Sequence, residues 1–364
     1  MATIQLIDVW HSYDLEEGKT KDPQYAVEDV NVTYENGSAV ALLGPSGCGK
    51  TTLLKIISGL TKPSKGRVLF DGKDVTELSA KERHIAQVFQ FPVVYDSMNV
   101  YGNIAFPLAN DGVDSDTIRK RVYEVAEILE ITSLLKVPAG KLNPADKQKV
   151  SLGRGIVRPD TAAVLLDEPL TVIDPKAQWG LRRKLKQVQE ELDFTMIYVT
   201  HDQHEALTFA DNVTIIKDGR LVQQGTPQEL HSRPETPFIG YFIGSPGMNL
   251  LDCQLKDDTL AFEDFELTIS RTLKDTLKPY GTSFQTGIRP ESIVSSNSGG
   301  NGAVDFQVAV VEDTGAYRIA TCEKQASRIK ARVPASIPVN EGEPLWLSFP
   351  EDKMNIFYNE KRIV

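Results

Sequence analysis

The sequence predicts an α/β domain built on a parallel sheet, followed by a smaller all-β domain. Residues 38–52 have the pattern of a buried strand, a glycine-rich turn and the start of a helix. Apolar strands at residues 162–166 and 194–199 also end in polar residues and are followed by helical patterns. From Leu250 the chain changes to short alternating strands, which predicts a small β-barrel.

The turn within residues 38–52 has the residue types of a phosphate-binding loop, in the frame Gly44-x-x-x-x-Gly49-Lys50-Thr51. Its glycines let successive backbone N–H groups point into one hollow at a helix N-terminus. Lys50 is expected to reach the β- and γ-phosphates of a nucleotide, and Thr51 to ligate the Mg²⁺ that bridges them. The alternative is a glycine-rich turn with a chance lysine. The predicted nucleotide contacts are Gly44, Pro45, Ser46, Gly47, Cys48, Gly49, Lys50, Thr51 and Thr52.

Composition and charge limit the kinds of ligand and partner that the chain can have. A formal charge of −10 and a pI near 5.2 argue against duplex DNA or an anionic lipid surface as a ligand. The three cysteines are odd in number and far apart, so neither a disulfide framework nor a zinc site is expected. The N-terminal residues lack a signal-peptide pattern and no stretch is apolar enough to span a bilayer. Membrane association is therefore expected to depend on a partner protein.

Asp167 and Glu168 follow the apolar strand at residues 162–166, at the strand end where ligands bind in parallel sheets. Asp167 can hold the shell of a Mg²⁺ ion, and Glu168 can polarise the water that attacks a γ-phosphate. His201 follows the strand at residues 194–199 and could contact the same phosphate, although a single histidine is more often structural.

Gln90 and Tyr13 each have a functional and a structural interpretation. Gln90 ends a short apolar strand at residues 84–90 and could ligate Mg²⁺ or the attacking water; a plain strand-end glutamine is the alternative. Tyr13 follows the first strand, at residues 3–9, and could stack on a purine ring, with core packing as the alternative.

Helical patterns between residues 93 and 157 predict a subdomain inserted into the α/β core at about residues 92–158. In it, Asn143 is expected to cap a helix whose first residue is Pro144, and Asp174 is expected to cap a later helix. The predicted domains are residues 1–246, the α/β domain, and residues 247–364, the β-barrel.

Five motifs in order resemble the ATP-binding subunit of an ABC transporter, over essentially the whole chain. They are GPSGCGKTT at residues 44–52, VFQ at 88–90, LLDEP at 165–169, TVID at 171–174 and VTHD at 199–202. The resemblance implies ATP and Mg²⁺ as cofactors, with Lys50, Thr51, Gln90 and Asp167 at the phosphates and the metal. It also implies roles for Glu168 as catalytic base, His201 as γ-phosphate switch, Tyr13 as adenine-stacking residue, and Thr171 and Asp174 as the D-loop.

Motifs in the C-terminal part of the chain indicate a subfamily. GTPQEL at residues 225–230, FIGSPGMN at 242–249 and GIRPE at 287–291 resemble carbohydrate importers of the maltose type, in which an OB-like, TOBE-type domain follows the ATPase. Residues 89–108 and the SLGRG and TVIDP stretches resemble importers of glycerol or related polyols. Two transmembrane permease subunits, an indirect solute-binding protein and a place on the cytoplasmic face of the plasma (inner) membrane are implied.

One motif departs from the family pattern. Where family members usually carry Leu-Ser-Gly-Gly-Gln, this chain has Leu142, Asn143, Pro144, Ala145 and Asp146. Pro144 removes a donor N–H, Ala145 adds a methyl group and Asp146 adds a negative charge where a phosphate would approach. In a head-to-tail dimer each ATP lies between one chain's phosphate loop and the other's signature. We therefore predict a heterodimer with a paralogous ATPase that has an intact signature.

Two alternatives come from other functional classes. A soluble ABC ATPase of translation or DNA repair usually carries tandem cassettes or a long coiled-coil insertion, and neither pattern is present. The second alternative is a regulatory protein that uses ATP only as a ligand, and the degenerate signature gives it some weight.

Overall fold

The computed structural model describes residues 2–16, 18, 22–300 and 302–364. The chain forms two compact units, one that ends at Pro227 and one that comprises Gln228–Val364. Within these described ranges, none of the helices combines the length and the hydropathy that crossing a bilayer requires.

The first unit has ten strands and seven α-helices in its described residues. The strands are β1 Ile4–His11, β2 Val27–Tyr34, β3 Ala39–Leu43, β4 Lys65–Phe70, β5 Lys73–Asp74, β6 Ile85–Val88, β7 Ala163–Asp167, β8 Met196–Thr200, β9 Asn212–Lys217 and β10 Arg220–Gly225. The helices are α1 Tyr13–Glu16, α2 Lys50–Ser58, α3 Val100–Asn110, α4 Ser115–Ile128, α5 Pro144–Ile156, α6 Pro175–Leu192 and α7 Gln203–Phe209.

The first unit contains a six-stranded sheet of order β10-β9-β3-β8-β7-β6. Strand β3 pairs in parallel with β8 and β9, and β7 pairs in parallel with β6 and β8. All five residues of β3 are buried, as expected for a parallel strand covered on both faces. The carboxyl ends of β3, β6, β7 and β8 therefore share one edge. A second, antiparallel sheet has the order β2-β1-β4-β5.

Helix α2 follows the predicted phosphate-binding loop at residues 44–49, called the glycine loop below. The C-terminal end of α2 is anchored by a buried arginine that sequence analysis missed. Arg83 is 2% exposed, and its guanidinium donates to the carbonyl oxygens of Ile56 and Ile57 at 2.7 and 2.9 Å. It also donates to the carbonyl oxygens of Thr76 and Leu78. A cation at the C-terminal end of α2 satisfies carbonyls that have no partner within the helix.

The second unit is a pair of antiparallel sheets with short helices. Its strands are β11 Asn249–Lys256, β12 Thr259–Ala261, β13 Glu266–Thr268, β14 Ser283–Ile288, β15 Val294–Ser296, β16 Val304–Asp313, β17 Arg318–Lys324, β18 Ser327–Val333, β19 Pro344–Ser348, β20 Met354–Tyr358 and β21 Lys361–Arg362. Its helices are α8 Pro227–Ser232, which starts at the last residue of the first unit, α9 Pro237–Phe242 and α10 Arg271–Leu277. The sheet orders are β13-β12-β11-β14-β20-β21 and β15-β19-β16-β17-β18.

The division at Pro227 lies earlier than the predicted boundary at residue 246, and a buried arginine supplies the reason. Arg289 is 4% exposed and donates to the carbonyl oxygens of His231 at 2.8 Å, of Gly240 at 2.9 Å and of Ile243. These hydrogen bonds tie the end of α8 and helix α9 to the β-sheets. Burial lowers the pKa of Arg289 to about 10, so the group remains a cation at neutral pH.

Local predictions match the structure at the helix starts and differ at two strand ends. Asn143 caps α5 with Pro144 as its first residue, and Asp174 caps α6, as predicted. The strand predicted to run to Gln90 ends at Val88, because its pairing with β7 ends there. Tyr13 begins the short helix α1 after β1, which continues to His11.

We expect Arg289→Met to lower the free energy of unfolding of the second unit by about 3 kcal/mol, because three buried carbonyl oxygens lose a charged donor. Urea unfolding followed through Trp346, which lies in β19, measures this. Arg271→Met is the matched control, since the side chain of Arg271 is 94% exposed. An equal loss in both variants would contradict the anchoring role.

Candidate nucleotide site

The glycine loop joins β3 to α2 and needs glycine at three positions. Gly47 and Gly49 have φ of +79° and +100°, in the left-handed region that other residues rarely adopt. A Cβ atom on Gly44 would lie 2.1 Å from the Ile216 carbonyl oxygen, and one on Gly49 would lie 2.2 Å from the Ala26 carbonyl oxygen. At Gly44 and Gly49 the loop therefore packs against neighbouring backbone that leaves no room for a side chain.

Lys50 is held inside this loop. Its side chain is buried, and its ammonium donates to the carbonyl oxygens of Gly44 and Pro45, each at 2.8 Å. The Cys48 sulfur lies 3.8 Å from the same ammonium. Burial is the largest effect on the Cys48 thiol and raises its pKa. The loop thus places one cation among its own carbonyl groups, at the N-terminus of α2.

Thr51 and Asp167 bring two oxygen ligands together. The Thr51 hydroxyl, on α2, donates to Asp167 Oδ1 at the end of β7, at 3.4 Å. Burial first, and then the charge of neighbouring Glu168, raises the pKa of Asp167. A hydroxyl and a partly buried carboxylate are hard oxygen donors, the kind that Mg²⁺ prefers. This pair therefore fits the predicted magnesium ligands.

Glu168 lies between two polar partners. His201 Nδ1 is 3.3 Å from Glu168 Oε1, and the Thr171 hydroxyl donates to Glu168 Oε2 at 3.4 Å. The backbone N–H of Glu168 donates to the Val199 carbonyl oxygen at 3.0 Å. Glu168 also has a φ of +45°, uncommon for a non-glycine residue. Such a conformation is often found where a side chain must be aimed for function.

Tyr13 contacts the start of α2, and Gln90 follows the strand that pairs with β7. The Tyr13 hydroxyl is 3.2 Å from the Thr52 hydroxyl of α2, and the ring is 39% exposed. An exposed ring at the glycine loop is available for stacking on a base. Gln90 lies two residues beyond the end of β6, which pairs with the strand that ends at Asp167.

The signature segment, residues 142–146, contains the start of α5 and the residue that caps this helix. Asn143 Oδ1 accepts the Asp146 N–H, and Asn143 Nδ2 donates to Asp146 Oδ2, both at 2.8 Å. Pro144 has no N–H. Of residues 144–146, only Ala145 therefore keeps an N–H that this reciprocal cap does not use. In the described part of the chain, no hydrogen bond joins residues 142–146 to the glycine loop.

Helix α5 also holds the segment around Gln90, at residues 89–95, through contacts that sequence analysis missed. Gln148 Nε2 donates to the Phe89 carbonyl oxygen at 3.2 Å, and Arg154 donates to the Val93 carbonyl oxygen at 2.7 Å. The Arg154 guanidinium lies 4.5 Å from the centre of the Tyr95 ring. No local motif signals these contacts, because the two segments are far apart in sequence.

Comparison with protein families assigns three parts of the chain. The ABC transporter family matches residues 27–171, the MalK OB fold domain matches residues 244–293, and the TOBE domain matches residues 286–357. These matches confirm the predicted order of an ATPase domain and an OB-like, TOBE-type domain.

Relatives align over nearly the full chain. The xylose/arabinose import ATP-binding protein of Haloferax volcanii is 37% identical and covers 99% of this chain and 94% of its own length. The sn-glycerol-3-phosphate import ATP-binding protein of Pectobacterium atrosepticum is 36% identical, and 98% of each chain is covered. The trehalose/maltose import ATP-binding protein of Thermococcus litoralis is also 36% identical, with 98% of each chain covered.

Two solved structures resemble the chain. A component of an ABC transporter complex from Clostridium perfringens has a TM-score of 0.57 and 31% identity, and covers 62% of this chain and 89% of its own. An ATP-binding cassette solved as a post-hydrolysis dimer with ADP and Pi has a TM-score of 0.53 and 27% identity, and covers 61% of this chain and 98% of its own.

We expect Glu168→Gln to keep ATP binding and to slow hydrolysis by about 100-fold or more, because the amide cannot accept a proton from water. Single-turnover hydrolysis and equilibrium ATP binding separate the two effects. Glu190→Gln, an exposed change on α6, is the control. Unchanged single-turnover hydrolysis would remove Glu168 from the reaction.

Proposed function

Because this chain belongs to the family of ABC transporter ATP-binding subunits, we propose that it powers a membrane importer for glycerol or a related polyol. Its relatives are named as ATP-binding proteins for the import of sugars or of sn-glycerol-3-phosphate. The observation that carries the site assignment is the convergence of the glycine loop, Asp167, Glu168 and His201 at one sheet edge.

In this proposal, backbone N–H groups of the loop and Lys50 bind the phosphates of ATP, and Tyr13 stacks on the adenine. Mg²⁺, held by Thr51, Asp167 and Gln90, would neutralise phosphate charge. Glu168 accepts the proton of the attacking water, and His201 contacts the γ-phosphate. Thr171 and His201, which contact the Glu168 carboxylate, limit where that carboxylate can point.

The proposed partners in the membrane are two permease subunits, which would hold the chain on the cytoplasmic face of the plasma (inner) membrane. The support is an exposed aromatic segment around Gln90, at residues 89–95: Phe89 is 41% and Phe91 is 68% exposed, beside the half-exposed Val93 and Tyr95. Exposed aromatic side chains grouped on one segment are typical of protein contacts. Because α5 holds this segment, a movement of α5 would reach the permeases. A solute-binding protein would act indirectly.

The solute itself is proposed from resemblance. Relatives are named for sn-glycerol-3-phosphate, for xylose and arabinose, and for trehalose and maltose. None of these names is glycerol itself; the resemblance of residues 89–108 to importers of glycerol or related polyols is the reason for proposing this solute.

We further propose that the chain pairs with a paralogous ATPase. The support is the start of α5, where Pro144 lacks an N–H and the Asp146 N–H is bonded to Asn143. The Asp146 carboxylate would face a phosphate there and repel it. A partner with an intact signature would complete the site built on Lys50 and Glu168.

We expect the purified chain alone to hydrolyse ATP slowly and without cooperativity. Restoring the signature with Asn143→Ser, Pro144→Gly, Ala145→Gly and Asp146→Gln together should raise its turnover at least about tenfold, because N–H donors return and a carboxylate is removed. The same four changes combined with Glu168→Gln are the control and should give no gain. Robust cooperative turnover by the unchanged chain would overturn the heterodimer.

We expect deletion of the gene to abolish uptake of radiolabelled glycerol and to leave maltose uptake unchanged. Re-expression of the parent chain should restore uptake, whereas Lys50→Ala should not, because the lysine contributes charge at the phosphates. Loss of maltose uptake alone would reassign the solute, and unchanged uptake of both would argue against an importer of either.

A further inference from the structure

Trp179 is an unusually exposed tryptophan on α6, between two surface clefts. Its residue is 62% exposed. One cleft, of about 480 Å³, is lined by Asn143, Ala145 and Asp146 of the signature segment together with Trp179 and Arg183. On the other side of the indole, a cleft of about 470 Å³ is lined by further α6 side chains. The tryptophan therefore stands beside the start of α5.

The surroundings of Trp179 have the chemistry of a protein contact. The Arg183 guanidinium lies 5.7 Å from the centre of the indole ring. Tryptophan and arginine are the residue types most enriched among those that carry binding energy at interfaces. Exposed to water, the indole contributes little to the stability of this chain, whereas burial against a partner would remove a large apolar area from water.

This surface is also cationic. Lys176, Arg182 and Arg183 surround Trp179 along α6, and across the described residues no carboxylate forms an ion pair with any of them. Lys186, one turn further along, pairs with Asp211 at 2.8 Å. Three carboxylates also line the two clefts, those of Glu130, Asp146 and Glu190. The positive charge is therefore confined to the α6 cluster, within a chain whose formal charge is −10. The cluster is complementary to an acidic protein surface.

We propose that the Trp179 face, defined as Lys176, Trp179, Arg182 and Arg183, binds an acidic patch of the paralogous ATPase subunit. This inference rests on the proposed heterodimer. Helix α6 begins at Asp174 in the D-loop, and the Trp179 face shares a cleft with the signature segment. These are the two elements of this chain that would face the partner's nucleotide, so the Trp179 face would extend that contact.

A cysteine introduced next to Trp179 can report whether a partner covers this face while Trp179 itself is kept. A Cβ atom on Gly180 meets no heavy atom within 4 Å apart from the backbone of its own helix, and the three native thiols are buried. In the transporter complex purified with ATP through a tag on this chain, Gly180→Cys should react with a maleimide at least about tenfold more slowly than in the isolated chain. Tyr123→Cys, at a 45% exposed aromatic of α4, is the control and should react equally in both. Adding Trp179→Ala to Gly180→Cys should restore most of the labelling rate.

The other outcomes overturn the proposal in distinguishable ways. Slow labelling of the isolated chain with ATP would identify a second copy of this chain as the occupant. Slow labelling in a complex that holds the permeases but only this ATPase would identify a permease. Fast labelling in a complex that contains the second ATPase would exclude the Trp179 face from the contact between the two ATPases and leave the proposed heterodimer standing. The absence of any second ATPase from the complex would overturn both this inference and the proposed heterodimer.

Discussion

The nucleotide site depends on the close approach of the glycine loop to the backbone around it. Gly44 lies against the Ile216 carbonyl of β9, and Gly49 lies against the Ala26 carbonyl just before β2. Because β9 is the neighbour of β3 in the sheet, the sheet itself fixes where the loop can lie. The loop in turn fixes Lys50 and Thr51 at the start of α2, opposite the end of β7. A methyl group at either glycine would move all of these groups together.

Helix α5 links two regions that the proposed function requires to communicate. Its first turn is the signature segment, and Gln148 and Arg154 further along bind the backbone of the exposed aromatic segment. Lys147 adds an ion pair to Asp96 at 3.3 Å. A helix is stiff over this length, so a displacement of its N-terminus by a nucleotide contact would be carried to that segment. Gln148, Arg154 and Lys147 are therefore the residues through which such a coupling would pass.

The sequence predicted the elements whose signals are local. The glycine loop, the caps Asn143 and Asp174, and the apolar strand before Asp167 all follow from a few adjacent residues, and each lies where predicted. The roles of buried arginines could not be predicted in this way, because Arg83 and Arg289 bind carbonyl groups of other elements. The domain boundary has the same cause, since Arg289 binds α9, which the sequence had placed with the ATPase domain. Likewise, the exposure of Trp179 depends on what packs around α6.

The N-terminal ends of α2 and α5, the two proposed phosphate contacts of this chain, have opposite chemistry. At α2, glycines and Lys50 supply backbone N–H groups and a cation, and no acidic residue lies in the first turn of the helix. At α5, Pro144 removes one N–H, Asn143 takes another, and Asp146 adds a carboxylate that the Asn143 amide holds in place. Because a helix N-terminus attracts a phosphate only through free N–H groups and its dipole, the second end has lost most of that attraction. The two helix starts of this chain therefore differ in their attraction for phosphate. In the proposed heterodimer, a partner with an intact signature would supply the second set of donors to a nucleotide bound at Lys50.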